Sequence, residues 1–171
     1  MGSVVATPTA QKGGFMFLSG TLRELRRGEE PAAEALLNRA FPSDEEARLV
    51  AKLRKSGAMA GEQVLADGDT LLGYYALSQM QGPKGWLCLA PVAVDPDHHG
   101  KGLGRRMMRW LVGWAEQTGQ TVVVLGDPAF YQRCGFRMAE GLTSPYPLDH
   151  TLVAGPAGSG ALIYPKAFEG L

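Results

Sequence analysis

Apolar and polar positions along this chain follow two different periods, and the places where the period changes mark its elements. Residues 70–79, TLLGYYALSQ, and 86–94, WLCLAPVAV, are apolar runs of strand length. A shorter strand over 62–67 precedes them, joined to the first through Gly68-Asp69, a two-residue turn suited to a hairpin. From 103 to 117 the period becomes helical, with Leu103, Met107, Trp110, Leu111 and Trp114 on one face and Arg105, Arg106 and Arg109 largely on another. Gly119 stops this helix, and the β-branched run 121–125 resumes a strand. Strand, helix and strand in that order form one βαβ unit, which implies parallel pairing of 86–94 with 121–125.

The flanking segments are less regular. Residues 15–25 favour extended pieces ending in the Arg26-Arg27-Gly28 turn, and Pro31 suits the first turn of a helix carrying Ala33, Leu36, Leu37 and Ala40 at helical spacing. Pro42 stops that pattern, and Ser43 or Asp44 is placed to cap a second helix with apolar positions at Ala47, Val50, Ala51 and Leu53. After 125, Gly126-Asp127-Pro128 turns into a short helix holding Tyr131, and the apolar runs 151–154 and 161–164 are read as terminal strands. Residues 1–14 read as a flexible tail and 15–171 as a single domain of α/β class, a mixed sheet flanked by helices. One residue resists the strand pattern: Pro91 has no N–H to give a sheet ladder, so the 86–94 strand requires an edge, a bulge or a splay at that point.

Composition changes this picture only by exclusion. The 171 residues carry 17 basic and 17 acidic side chains, so no overall field draws the protein to nucleic acid or an anionic membrane, and any anion must be held locally. Two cysteines, Cys88 and Cys134, make no disulfide framework and read as reduced thiols of a cytoplasmic protein. No apolar run has the length of a membrane span. His98, His99 and His150 lack metal-ligand spacing, and no metal is expected.

Candidate chemistry concentrates in 91–109, PVAVDPDHHGKGLGRRMMR, where a strand enters a glycine-rich loop that opens directly into the amphipathic helix. Free N–H groups and the positive end of the helix dipole converge there, a site for phosphate or pyrophosphate. Spacing narrows the ligand. A dinucleotide fingerprint needs glycine where Arg105 stands, and a phosphate-binding P-loop needs Gly-Lys-Ser/Thr, which the Gly102-Leu103 step does not provide.

The strand Val92-Ala93-Val94-Asp95-Pro96 and the loop His99-Gly100-Lys101-Gly102-Leu103-Gly104 closely resemble motif A of the GNAT superfamily of acyl-CoA-dependent N-acetyltransferases, with His99 where that family usually has Gln or Arg. Tyr131-Gln132-Arg133-Cys134-Gly135-Phe136 is similar to the family's later Y-x-x-x-G-F motif, and Gly126–Tyr131 with Tyr164–Phe168 resembles a bacterial branch of predicted acetyltransferases. The resemblance implies a centrally splayed mixed sheet and transfer of an acetyl or short acyl group from acetyl-CoA to an amine by direct attack. It further implies that coenzyme A pyrophosphate lies on the backbone of His99, Gly100, Lys101, Gly102, Leu103, Gly104 and Arg105, with Arg105 or Arg106 as a candidate side-chain contact. Val92, Ala93 and Val94 are then the strand positions whose backbone pairs with the pantetheine arm, and Tyr131 is the general acid for the departing thiolate. The 86–94 strand has no acid where many relatives carry a general base, and Asp127 reads better as a helix cap than as that base. Cys134 has no identifiable His or acid partner, which favours a packed thiol over a nucleophile. A non-catalytic acyl-CoA-binding sensor or docking module is the alternative. The acceptor amine and the oligomeric state are not legible.

Overall fold

A computed structural model describes residues 20–170; the residues read as a flexible tail lie outside them, as do 15–19. The chain begins with β1 (Thr21–Glu24), then α1 (Glu30–Ala40) and α2 (Glu45–Ser56), the long strands β2 (Met59–Asp67), β3 (Thr70–Gln79) and β4 (Leu87–Val94), helix α3 (Leu103–Thr118), strand β5 (Val122–Leu125) and helix α4 (Pro128–Arg133). Short strands β6 (Arg137–Met138), β7 (Leu142–Thr143), β8 (Thr151–Ala154) and β9 (Gly160–Ala161) complete it. Seven strands form one mixed sheet in the order β1-β2-β3-β4-β5-β8-β6, parallel only at β4–β5 among its neighbours, while β7 and β9 pair separately. The expected βαβ unit, hairpin and strand at 151–154 are therefore present. The run 161–164 is not a strand of its own: its start belongs to β9, and Ile163 bridges Gly82.

The two faces of the sheet are covered by different helices. On one face α3 and α4 bury Met107, Met108, Leu111 and Tyr131 against Leu89, Val92, Val94 and Val124. On the other, α1 and α2 bury Leu36, Leu37 and Val50 against Tyr74, Ala76 and Ala93, and Leu49 and Leu53 against Cys88, Ala90 and Val123. Alternation along β4 sends its side chains to both layers, which is why the strand reads as continuously apolar rather than alternating.

Two helical faces differ from expectation. Trp110 is 50% exposed, and the buried stripe of α3 runs instead through Leu103, Met107, Met108, Leu111, Val112 and Ala115, with Trp114 only partly covered. Both tryptophans were expected in the core on hydrophobicity alone. An indole is often amphipathic and needs only one face covered, so size does not decide its side of a helix. In α2, Ala51 is exposed and Leu49 takes the buried position with Val50 and Leu53. The stripe of α2 is thus rotated from the one expected, and Glu46, three residues before Leu49, falls on it. A polar clamp holds α2 in that orientation: Arg54 donates to both oxygens of Glu62 on β2 at 2.7–3.1 Å, and the Tyr74 hydroxyl donates to Glu62 Oε1 at 2.6 Å.

Candidate active site

β4 is where the sheet divides. It pairs with β5 only through Leu87–Val122, Cys88–Val123 and Leu89–Val124, so everything after Leu89 has left its parallel neighbour. On its other side it stays on β3, but the register passes from Leu77↔Leu89 to Tyr75↔Val92, leaving Ala90 and Pro91 together opposite Ala76. That two-against-one count is a β-bulge, and it absorbs the proline that cannot donate to a ladder.

Alternation then settles which backbone groups face the gap. The Asp95 N–H donates to Leu72 O at 2.8 Å, so the hydrogen-bonded positions on the β3 side are Asp95 and Ala93, the latter opposite Tyr74. The N–H and C=O groups of Val92 and Val94 accordingly turn toward the split. His99 confirms this orientation by placing Nε2 3.1 Å from Val94 O. Of the three strand residues expected to pair with an extended ligand, Val92 and Val94 thus present their backbone to the gap, whereas that of Ala93 is committed to β3.

Directly after the split, the chain builds a cradle of donors. Gly102 caps α3 in the left-handed conformation, φ +76°, where a side chain would be strained. No side chain caps the helix at this end, and the first intrahelical bond is Arg106 N–H to Gly102 O at 3.0 Å, so the N–H groups of Leu103, Gly104 and Arg105 have no intrahelical acceptor. The residue that stands where the family has Gln or Arg, His99, reaches back to β4 rather than forward into the cradle. Of the two arginines, Arg105 is exposed beside the cradle, while Arg106 donates through Nη2 to Gly20 O at 2.8 Å and its Nη1 is buried without a partner among the described residues.

Asp95 ties the start of the loop to α1. Its Oδ1 accepts the Asp97 N–H at 2.9 Å, and its Oδ2 takes Arg39 Nη2 of α1 at 2.6 Å. Burial by itself would raise the carboxyl, but the Asp97 N–H and the Arg39 guanidinium outweigh it and hold the group below its ordinary value near 3.8. A depressed folded-state value means the stabilisation is complete above about pH 4 and disappears as pH falls through the lower folded value. Asp95→Asn is therefore expected to lower stability by about 1 kcal/mol at pH 7, a figure kept small because Arg39 is half exposed, and by progressively less below pH 4; denaturant melts across that range check it.

Tyr131 lies on α4, in the core cluster that also holds Val92, Val94 and Val124 of β4 and β5. α4 starts where β5 ends, with Asp127 Oδ1 capping it by accepting the Ala129 N–H at 3.1 Å, so this carboxylate is engaged as a helix cap. The Tyr131 ring is fully buried, edge-on to Phe130 and Phe136 at centroid distances of 5.0 and 5.4 Å, and closely approaches Gly126 just after β5. A Cβ on Gly126 would come within 2.4 Å of that ring. The two thiols are inert by environment: burial pushes Cys88 up to about 12 and Cys134 to about 11, well away from the thiolate a nucleophile requires. Among the described residues no group of His, Cys, Asp or Glu could hold a metal ion.

Sequence reasoning missed Glu46. Its Oε2 is buried and has no hydrogen-bond partner among the described residues. The signal was available in the spacing of Leu49, Val50 and Leu53, which places Glu46 one turn further along the same stripe. A separate cleft of ≈ 450 Å³, lined by Trp86, Arg137, Glu140, Leu142, Val153 and Gly158, contains none of the loop residues.

Comparison with known proteins bears on the same residues. The model of the acetyltransferase (GNAT) family matches residues 22–136. The N-acetyltransferase YhbS of Escherichia coli K12 is 40% identical over 116 residues, covering 65% of this chain and 70% of that protein. The crystal structure of E. coli YhbS in complex with CoA superposes with a TM-score of 0.81 at 32% identity, over 91% of this chain and 95% of that one. A GNAT acetyltransferase from Brucella melitensis in complex with acetyl-CoA gives 0.73 at 25% identity, over 88% and 98% of the two chains. No helix among the described residues is long and apolar enough to cross a membrane.

Proposed function

Because this chain belongs to the acetyltransferase (GNAT) family, whose members move an acetyl group from acetyl-CoA to an amine, we propose that it does so by direct attack of a primary amine on the thioester held in the β4–β5 split. The observation that carries this reading is the juxtaposition of the two half-sites: a donor cradle at Gly100–Arg105 opens beside a strand edge at Val92 and Val94 that no strand of the described residues covers. Coenzyme A pyrophosphate would take the N–H groups of the loop and of Leu103, Gly104 and Arg105, with the α3 dipole adding a modest attraction. Its pantetheine arm would extend along Val92 and Val94 as an added strand, and a backbone N–H there would polarise the thioester carbonyl. Tyr131 would protonate the leaving sulfur; phenol and thiol have ordinary values near 10 and 8.5, close enough for that transfer.

Direct attack is favoured over an acyl-cysteine route because both thiols are held far above neutral pH and packed in apolar surroundings. Cys134→Ala is accordingly expected to keep kcat within about threefold of the parent, and intact-mass measurement after incubation with acetyl-CoA should find no acetyl adduct on the enzyme. The overall reading is tested with acetyl-CoA and a panel of amines. Thiol release that depends on an amine supports catalysis; thermal stabilisation by acetyl-CoA without release would instead support an acyl-CoA-binding module.

A further inference from the structure

We infer that Glu46 is the acceptor-side general base, and that the acceptor is a primary amine entering as its ammonium ion. The inference rests on the acetyl-transfer reading above and adds to it the group that β4 lacks.

The cofactor loop and α3 lie on the face of the sheet that α3 covers, so acetyl-CoA enters the split from that side. An amine attacking the thioester must come from the opposite face, which α1 and α2 cover. The C-terminal end of α2 sits over the paired part of the sheet: Ala58 O accepts the Gln79 N–H, and Met59, Ser78, Cys88 and Val123 lie in register across four strands. Its N-terminal end therefore lies toward the split. Leu49 packs with Cys88 and Ala90, Val50 with Ala93, and Glu46 precedes both by one turn on the same stripe. The β4 side chains on this face, Ala90 and Ala93, are small and buried in the layer that α1 and α2 cover.

Among the described residues the Glu46 carboxylate has no salt-bridge partner. Oε2 is buried without a donor, and the neighbouring guanidinium groups are occupied: Arg39 by Asp95, Arg48 by Asp44 and Arg54 by Glu62. A buried carboxylate oxygen left unpaired is destabilising, and an arriving ammonium group corrects it. The carboxylate then takes one proton from the ammonium and passes it to solvent. The freed nitrogen attacks the thioester carbon, the C–N bond forms and the C–S bond breaks. The sulfur takes the phenolic proton of Tyr131, and the second proton shed by the nitrogen as it becomes an amide restores the phenol. Ammonium and thioester thus become amide, thiol and one released proton.

The test compares wild type with Glu46→Gln and Glu46→Asp, using spermidine, a lysine-containing peptide and aniline as acceptors and thiol release as the readout. For the best aliphatic amine, Glu46→Gln should lose about 100-fold or more in kcat/KM and its rate should climb with pH as more of the amine is already neutral. Glu46→Asp should fall between, and the thermal shift given by acetyl-CoA should be the same in all three proteins. Because Glu46 Oε2 has no hydrogen-bond partner among the described residues, the Gln variant should melt no lower than wild type. A Glu46→Gln protein within about threefold of wild type with an unchanged pH profile overturns the assignment and leaves acetyl transfer standing. A Glu46→Gln protein that melts well below wild type also overturns it, since the carboxylate would then be structural. Wild-type protein that binds acetyl-CoA yet releases thiol with no amine overturns both readings, and preference for aniline overturns the ammonium acceptor.

Discussion

Replacing Tyr131 with Phe is expected to lower kcat by about 10²–10⁴-fold while leaving acetyl-CoA affinity nearly unchanged. The two sides of that expectation have separate causes. A phenylalanine ring keeps the edge-on contacts to Phe130 and Phe136 and the close approach to Gly126, so the packing of the ring is retained. On the proposed role what is lost is the proton donor, and a thiolate leaving without one is a poorer leaving group. Steady-state kinetics with saturating acetyl-CoA measures the loss, and an acetyl-CoA titration by calorimetry measures the binding that should persist. Unchanged kcat would remove Tyr131 from the chemistry. Tyr131→Ala is the weaker experiment, because it empties a fully buried site and mixes a packing defect with the chemical one.

The largest expected effect on stability comes from a residue remote from the chemistry. Gly155→Ala should destabilise the fold by about 3–5 kcal/mol, lowering Tm by on the order of 10 °C in a domain of this size. Gly155 has φ +86°, where an L side chain is strained, and a Cβ built there would lie 1.9 Å from the carbonyl oxygen of Gln120. That oxygen is backbone and cannot rotate aside. It leads into β5, which is held by the Leu87 N–H bonded to Thr121 O at 2.9 Å, by the Thr121 hydroxyl donating to Pro156 O at 2.8 Å, and by the β5–β8 register from Val122↔Ala154 to Leu125↔Thr151. Relief therefore requires β5 to shift against β8, and β5 forms one wall of the split. Calorimetric melts check the stability loss, and a variant melting within about 2 °C of wild type would contradict this account of the β5–β8 junction.

Most of the fold was legible because its signals are local. The hairpin at 67–70, the ends of α3 at Leu103 and Gly119 and the β4-α3-β5 unit each follow from neighbouring residues whose turn, cap or periodicity has one physical solution. Pro91 was informative for the same reason: a missing N–H inside an apolar strand demands a break in pairing, and the bulge opposite Ala76 together with the end of the β5 ladder at Leu89 supplies it. The faces of helices were less legible. In α2, alanines at 47 and 51 and leucine at 49 allow more than one stripe, and alanine burial says little about orientation. The choice is made by Leu49 docking on Cys88 and Ala90 and by Arg54 clamping Glu62, contacts with strands that lie later in the chain.

The sequence alone determined that this chain carries an anion cradle fed by a broken strand, because glycine spacing, helix entry and proline are properties of one contiguous segment. Tertiary structure decided what faces that segment: which strand residues turn their backbone to the gap, and which of the two arginines is tied to a backbone carbonyl elsewhere. Those are relations between elements separated by tens of residues, set by register and by which side of a helix is buried, and no local pattern encodes them.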